Sequence, residues 1–169
     1  NMSGKSTFLR AIGMNMILAQ AGLPVFAESM TFTPLFIHTS FRQSDSVQEN
    51  TSYFMAELKR LKEIMNAVDN PAGSLVLLDE FGTGSDPELG GALAEVFFEH
   101  IYHQGSYGVV TTHYANIKLK AAELRQAINA CMLFDTKTLE PRYMLSMGQP
   151  GSSFTFEVAQ MNGIPKSLI

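Results

Sequence analysis

Ser74-Leu75-Val76-Leu77-Leu78-Asp79-Glu80 is the stretch on which the reading of this chain turns. Leu75 to Leu78 run apolar without alternation, the pattern of a strand buried on both faces. The strand then ends in two consecutive carboxylates, and burying charge there is costly unless the charges do something. In a parallel sheet, ligands sit outside the carboxyl ends of the strands, which is where Asp79 and Glu80 fall. Asn70-Pro71-Ala72-Gly73 breaks the chain before this strand. A Gly-rich loop follows it, and Asp86-Pro87-Glu88 opens a helix with a cap, a proline at the first position and an early carboxylate. That helix is expected to end near Gly105.

Upstream, Asn1-Met2-Ser3-Gly4-Lys5-Ser6-Thr7 leads into a helix expected over 5–21, stopped by Gly22 and Pro24. Gly4-Lys5-Ser6-Thr7 is the second half of a phosphate-binding loop, G-x-x-x-x-G-K-[ST]. Backbone N–H groups at a helix start form a concave anion site favoured by the helix dipole. Lys5 would reach the β- and γ-phosphates, Ser6 would give a hydroxyl to magnesium, and Thr7 would add a phosphate contact. The triplet by itself is equally compatible with an ordinary helix N-terminus. The first glycine of the motif would lie two positions before Asn1, so a fragment lacking the strands before the phosphate loop is expected.

The two segments explain one another. Asp79 can hold magnesium through its water shell, and Glu80 can take a proton from the attacking water. Tyr107 to Thr112 reads as a second apolar strand whose end, Thr111-Thr112-His113, reaches the same sheet edge. A histidine there can hydrogen-bond a γ-phosphate or the nucleophilic water. His38, His100 and His103 have no such placement, and His100 and His103 are expected to share a helix flank. No metal-ligand cluster and no G-x-S-x-G elbow is present.

Between these motifs, residues 30–41 read as extended segments interrupted at Pro34. Phe54, Leu58, Leu61, Met65 and Val68 step along one face of a helix, with Ser52 as its N-cap. Glu57, Lys59, Arg60, Lys62 and Glu63 are expected on or beside the wet side. Downstream, a short helix is expected over 116–126, a hairpin pairing 130–134 with 142–147, and a last helix over 153–162. The fold class is α/β, a mostly parallel sheet flanked by helices, with a C-terminal hairpin and helix.

Composition narrows the classes further. The 169 residues are 46% hydrophobic and carry a net charge of −4, with a mean hydropathy of +0.05. One cysteine, Cys131, rules out a disulfide framework and a cysteine-based zinc site and fits a reducing cytosol. Apolar runs are short, so no membrane span is expected. The acidic balance argues against a DNA-binding face, which needs clustered Lys and Arg. Charged residues make up 17%, below the roughly 25% of typical domains, as in a chain covered by partners.

Taken together, the motifs resemble the ATPase domain of the MutS family, a branch of the ABC-type P-loop ATPases, over essentially the whole chain. Residues 1–10 match its phosphate loop. Ser52-Tyr53-Phe54-Met55-Ala56-Glu57 match its signature segment, Leu77 to Asp86 its Walker B strand and interface loop, and Thr111-Thr112-His113-Tyr114 its switch histidine. The resemblance implies one partial ATPase domain over 1–169, with 148–169 beginning a dimerisation region. It implies ATP and Mg²⁺ as cofactors, held by Asn1 to Thr7 with Ser6 and Asp79 on the metal, and Glu80 and His113 as catalytic residues. It further implies a cytoplasmic homodimer in which Ser52 and the 83–86 loop complete the partner's site, with DNA gripped by other domains in mismatch repair or a related process.

The signature segment departs from the family in carrying Asn50 where glycine is common. Up to about Val68 the chain looks more like mismatch-type or short MutS-like proteins. From Leu75 onward, Asp86 to Ala94 and Gly148 to Phe154 look like the second bacterial branch, which bears an Smr nuclease domain and acts in recombination control or ribosome rescue. A different class of reading is a non-catalytic interaction module with a vestigial nucleotide site, associating through 153–169 and the 83–86 loop whatever the nucleotide. A small-molecule kinase is disfavoured, because no separate acceptor site or lid is evident.

Overall fold

A computed structural model describes residues 4–41, 50–69, 73–83, 86–135, 138 and 140–149. The chain divides into two compact units, Ser6–Ile117 and a second formed by Asn1–Lys5 with Lys118–Ile169. The order of elements is α1 (Lys5–Gln20), β1 (Phe36–Ser40), α2 (Asn50–Val68), β2 (Ser74–Asp79), α3 (Pro87–His103), β3 (Tyr107–Thr111), α4 (Ala115–Glu123), β4 (Ala130–Asp135) and β5 (Glu140–Met147).

In the larger unit, three parallel strands lie in the order β1-β2-β3. Leu77 of β2 stands opposite Thr39 on one side and Val109 on the other, and Asp79 stands opposite Thr111. Every residue of the central strand is buried. The reason is the pleat, which sends alternate side chains to opposite faces. Leu75 and Leu77 join Leu9 and Met16 of α1 on one face. Val76 and Leu78 join Leu61, Ile64 and Val68 of α2 and Ala94, Phe97 and Ile101 of α3 on the other. With both faces covered by helices, the strand needs no polar alternation. Each fully buried side chain contributes about 1.5–3 kcal/mol.

Local chemistry sets the helix ends. The Asp86 side chain accepts from the Glu88 and Leu89 N–H groups at the start of α3, with Pro87 in the first helical position. His100 and His103 lie in its last turn, as the sequence leads one to expect.

Two expectations for α2 are corrected. The helix begins at Asn50, so Ser52 lies inside its first turn and is not the N-cap. The period of the apolar face holds, but its phase is rotated. The buried stripe runs through Glu57, Leu61, Ile64 and Val68, while Phe54, Leu58 and Met65 are only half-buried. Glu57 is therefore 8% exposed rather than on the wet side. It is accommodated there because its carboxylate accepts a backbone N–H from Gly82.

In the smaller unit, β4 and β5 form the antiparallel hairpin, with a register shift between Met132 and Phe134. Arg142 donates to Asp135 at 2.8 Å across its closed end. The helix expected over 153–162, and all but the first two residues of the 148–169 region, lie outside the described residues. Among the described residues no helix is long and apolar enough to cross a membrane.

Candidate functional site

The carboxyl ends of β2 and β3 and the start of α1 supply the groups that matter. Asp79, the last residue of β2, is 5% exposed. Its Oδ1 accepts from the Ser6 hydroxyl at 2.9 Å and from the Thr111 hydroxyl at 2.7 Å. The β2–β3 register places Thr111 directly opposite. Ser6 arrives because Gly4, at φ +79°, turns the chain into α1. A side chain in that left-handed conformation costs about 1–2 kcal/mol. Lys5 and Thr7 flank Ser6 in the first turn of α1. Asn1, Met2 and Ser3 lie outside the described residues.

Glu80 leaves the strand with φ +50°, a left-handed conformation uncommon outside glycine. Its N–H donates to the Thr111 carbonyl at 3.0 Å and to the Thr111 hydroxyl at 3.1 Å. Thr83 donates to its carbonyl at 3.0 Å. These bonds hold the residue in its strained conformation. Its carboxylate Oε1 lies 2.8 Å from His113 Nε2, with side chains 13% and 60% exposed respectively. A carboxylate held by an imidazole at an open sheet edge can accept a proton from water.

Magnesium fits this donor set. A hydroxyl and a carboxylate are hard oxygen ligands, and Mg²⁺ is commonly bound by one or two carboxylates together with waters and phosphate oxygens. Among the described residues no group of three or more His, Cys, Asp or Glu forms an all-protein cage. Ser6 and Asp79 are the residues that would hold such an ion.

Of the candidate residues, the structure brings Ser6, Asp79, Glu80 and His113 to one sheet edge. Ser52 lies in the first turn of α2, and its side chain is outside the described residues. His38 belongs elsewhere: its Nε2 is 3.3 Å from the Ser74 hydroxyl, at the opposite end of β2. Burial and then the charge of Arg60 push the His38 pKa below the usual histidine value.

Three residues without a role in the sequence reading prove structurally central. Thr111 binds both Asp79 and Glu80, which only the strand register reveals. Glu57 accepts from the Gly82 N–H at 3.2 Å, and the Tyr114 hydroxyl donates to the Gly82 carbonyl at 2.8 Å. Burial first, then the charges of Glu57 and Asp86, push the Tyr114 pKa above the usual phenol value.

Residues 1–169 match the family described as MutS domain V. Relatives named Endonuclease MutS2 are similar over 100% of the chain. That from Halothermothrix orenii is 38% identical over 171 residues, 21% of its own length. That from Thermus thermophilus is 36% identical over 170 residues, 23% of its length. That from Streptococcus thermophilus is 34% identical over 171 residues, 22% of its length. The chain thus spans about a fifth of the length of the curated relatives it matches.

Proposed function

This chain belongs to the MutS family, matching its domain V, a P-loop ATPase domain, and we propose that it binds and hydrolyses ATP as the motor of a DNA repair or recombination protein. The observation that supports this best is the shared Asp79 Oδ1, bonded to Ser6 and Thr111, with the Glu80–His113 pair beside it. Bound Mg-ATP supplies an activated γ-phosphoryl group open to in-line attack by water. Lys5 and the backbone N–H groups through Thr7 hold the phosphates, and Ser6 and Asp79 hold the metal. Glu80 takes the proton from water. His113 orients Glu80 and contacts the γ-phosphate.

The site works in a homodimer, in the cytoplasm. Ser52 and the 83–86 loop of each copy complete the other's nucleotide site, and DNA is bound by domains outside this chain. ATP then holds the interface closed, and hydrolysis opens it. Sedimentation velocity with and without a Mg-bound non-hydrolysable ATP analogue tests this. The expected result is a nucleotide-dependent shift from monomer to dimer, or from an open to a more compact dimer. Sedimentation that ignores the nucleotide contradicts the switch and favours an interaction module with a vestigial site.

A further inference from the structure

Gly82 is held on both sides by side chains, through the N–H of the peptide group before it and the carbonyl of the one after it. Its N–H donates to Glu57 Oε1 at 3.2 Å, and its carbonyl accepts from the Tyr114 hydroxyl at 2.8 Å. Gly82 has φ +82°, and a Cβ there would stand 2.9 Å from the Gly90 carbonyl oxygen and 3.5 Å from the Tyr114 ring. Any side chain at position 82 would therefore collide with the backbone of α3, so the close approach that the two hydrogen bonds hold requires glycine. Glu57 is a buried carboxylate, a costly group to place inside a protein, and it sits on the apolar stripe of α2.

We propose that Glu57 and Tyr114 are positioning residues that clamp Gly82 and thereby fix Glu80 against His113. The sequence distances make the clamp a linkage. Gly82 follows Glu80 by two positions, Tyr114 follows His113 directly, and Glu57 lies on α2 beyond Ser52. Helix α2, the general base and the switch histidine are thus tied to one residue, Gly82, so a shift of either anchor reaches Glu80. Asp79 is held separately, by Ser6 and Thr111. Loss of the clamp accordingly slows the chemical step and leaves nucleotide binding in place. This inference rests on the ATPase reading above.

The test is steady-state phosphate release and Mg-ATP-analogue affinity in the intact protein. Glu57→Leu and Tyr114→Phe are each expected to lower kcat by at least about tenfold, since a displacement of about 1 Å at a reacting group can cost 10²-fold. Affinity should stay within about threefold, because the groups assigned to binding are untouched. Glu57→Gln keeps an oxygen acceptor for the Gly82 N–H and should retain most of kcat. The double variant Glu57→Leu with Tyr114→Phe should lose little more than the worse single variant, because both act on one residue, Gly82. Unchanged kcat in Tyr114→Phe, which removes one hydroxyl and little else, overturns the clamp. So does a parallel loss of kcat, affinity and melting temperature, the mark of a merely structural role. Absence of turnover in the unsubstituted protein overturns the ATPase reading itself, and the clamp with it.

Discussion

Replacing Glu80 by glutamine is expected to leave Mg-ATP binding intact and to slow turnover at least about tenfold, within reach of the roughly 10²–10⁴-fold that a general base contributes. The substitution is nearly isosteric. Glutamine keeps an oxygen that can accept from His113 Nε2, now 2.8 Å from Glu80 Oε1. The backbone at φ +50° stays pinned through the Thr111 carbonyl and hydroxyl. The amide cannot accept a proton from water, so the effect falls on kcat. Phosphate release at saturating ATP, set beside analogue affinity, measures the two separately. Equal turnover would remove Glu80 from the role of base.

Asp79→Asn should act on binding instead. The carboxylate is nearly fully buried, and its Oδ1 already accepts from the hydroxyls of Ser6 and Thr111. Asparagine can keep both bonds through its side-chain oxygen, so the local fold should persist. The negative charge that would attract the cation is gone. Apparent affinity for nucleotide in the presence of Mg²⁺ is expected to fall about 10- to 100-fold, the range seen when metal-site support is removed. Affinity without Mg²⁺ should change little. Titrating nucleotide with and without the ion checks this, and a variant that binds equally well in Mg²⁺ would show that Asp79 does not serve the metal.

Features set by neighbouring residues were the ones readable in the sequence. The Asp86 cap and Pro87 are local chemistry, and α3 starts where they place it. The unbroken apolar run of β2 matched a strand buried on both faces, because α1 covers one and α2 and α3 the other. Its terminal acids, the Ser6 helix start and His113 share one edge because parallel strands end together. What depends on long-range contact was not readable. Thr111 matters through its register opposite Asp79. Glu57 looked solvated because charge and spacing assign it to a wet flank, whereas its partner N–H lies 25 residues further along the chain. Ile64, rather than Leu58, sits on the buried stripe of α2, a phase that several apolar residues on neighbouring faces left undetermined.

The central claim is that the start of α1 and the end of β2 form a nucleotide site. Calorimetric titration of a Mg-bound non-hydrolysable ATP analogue into the folded protein, with Lys5→Ala as the control, tests it most directly. Saturable binding that disappears in Lys5→Ala is the predicted result, because the lysine is assigned to the phosphates at the helix start. A folded protein that gives no binding, or a Lys5→Ala variant that binds as tightly as the unsubstituted chain, would contradict the account.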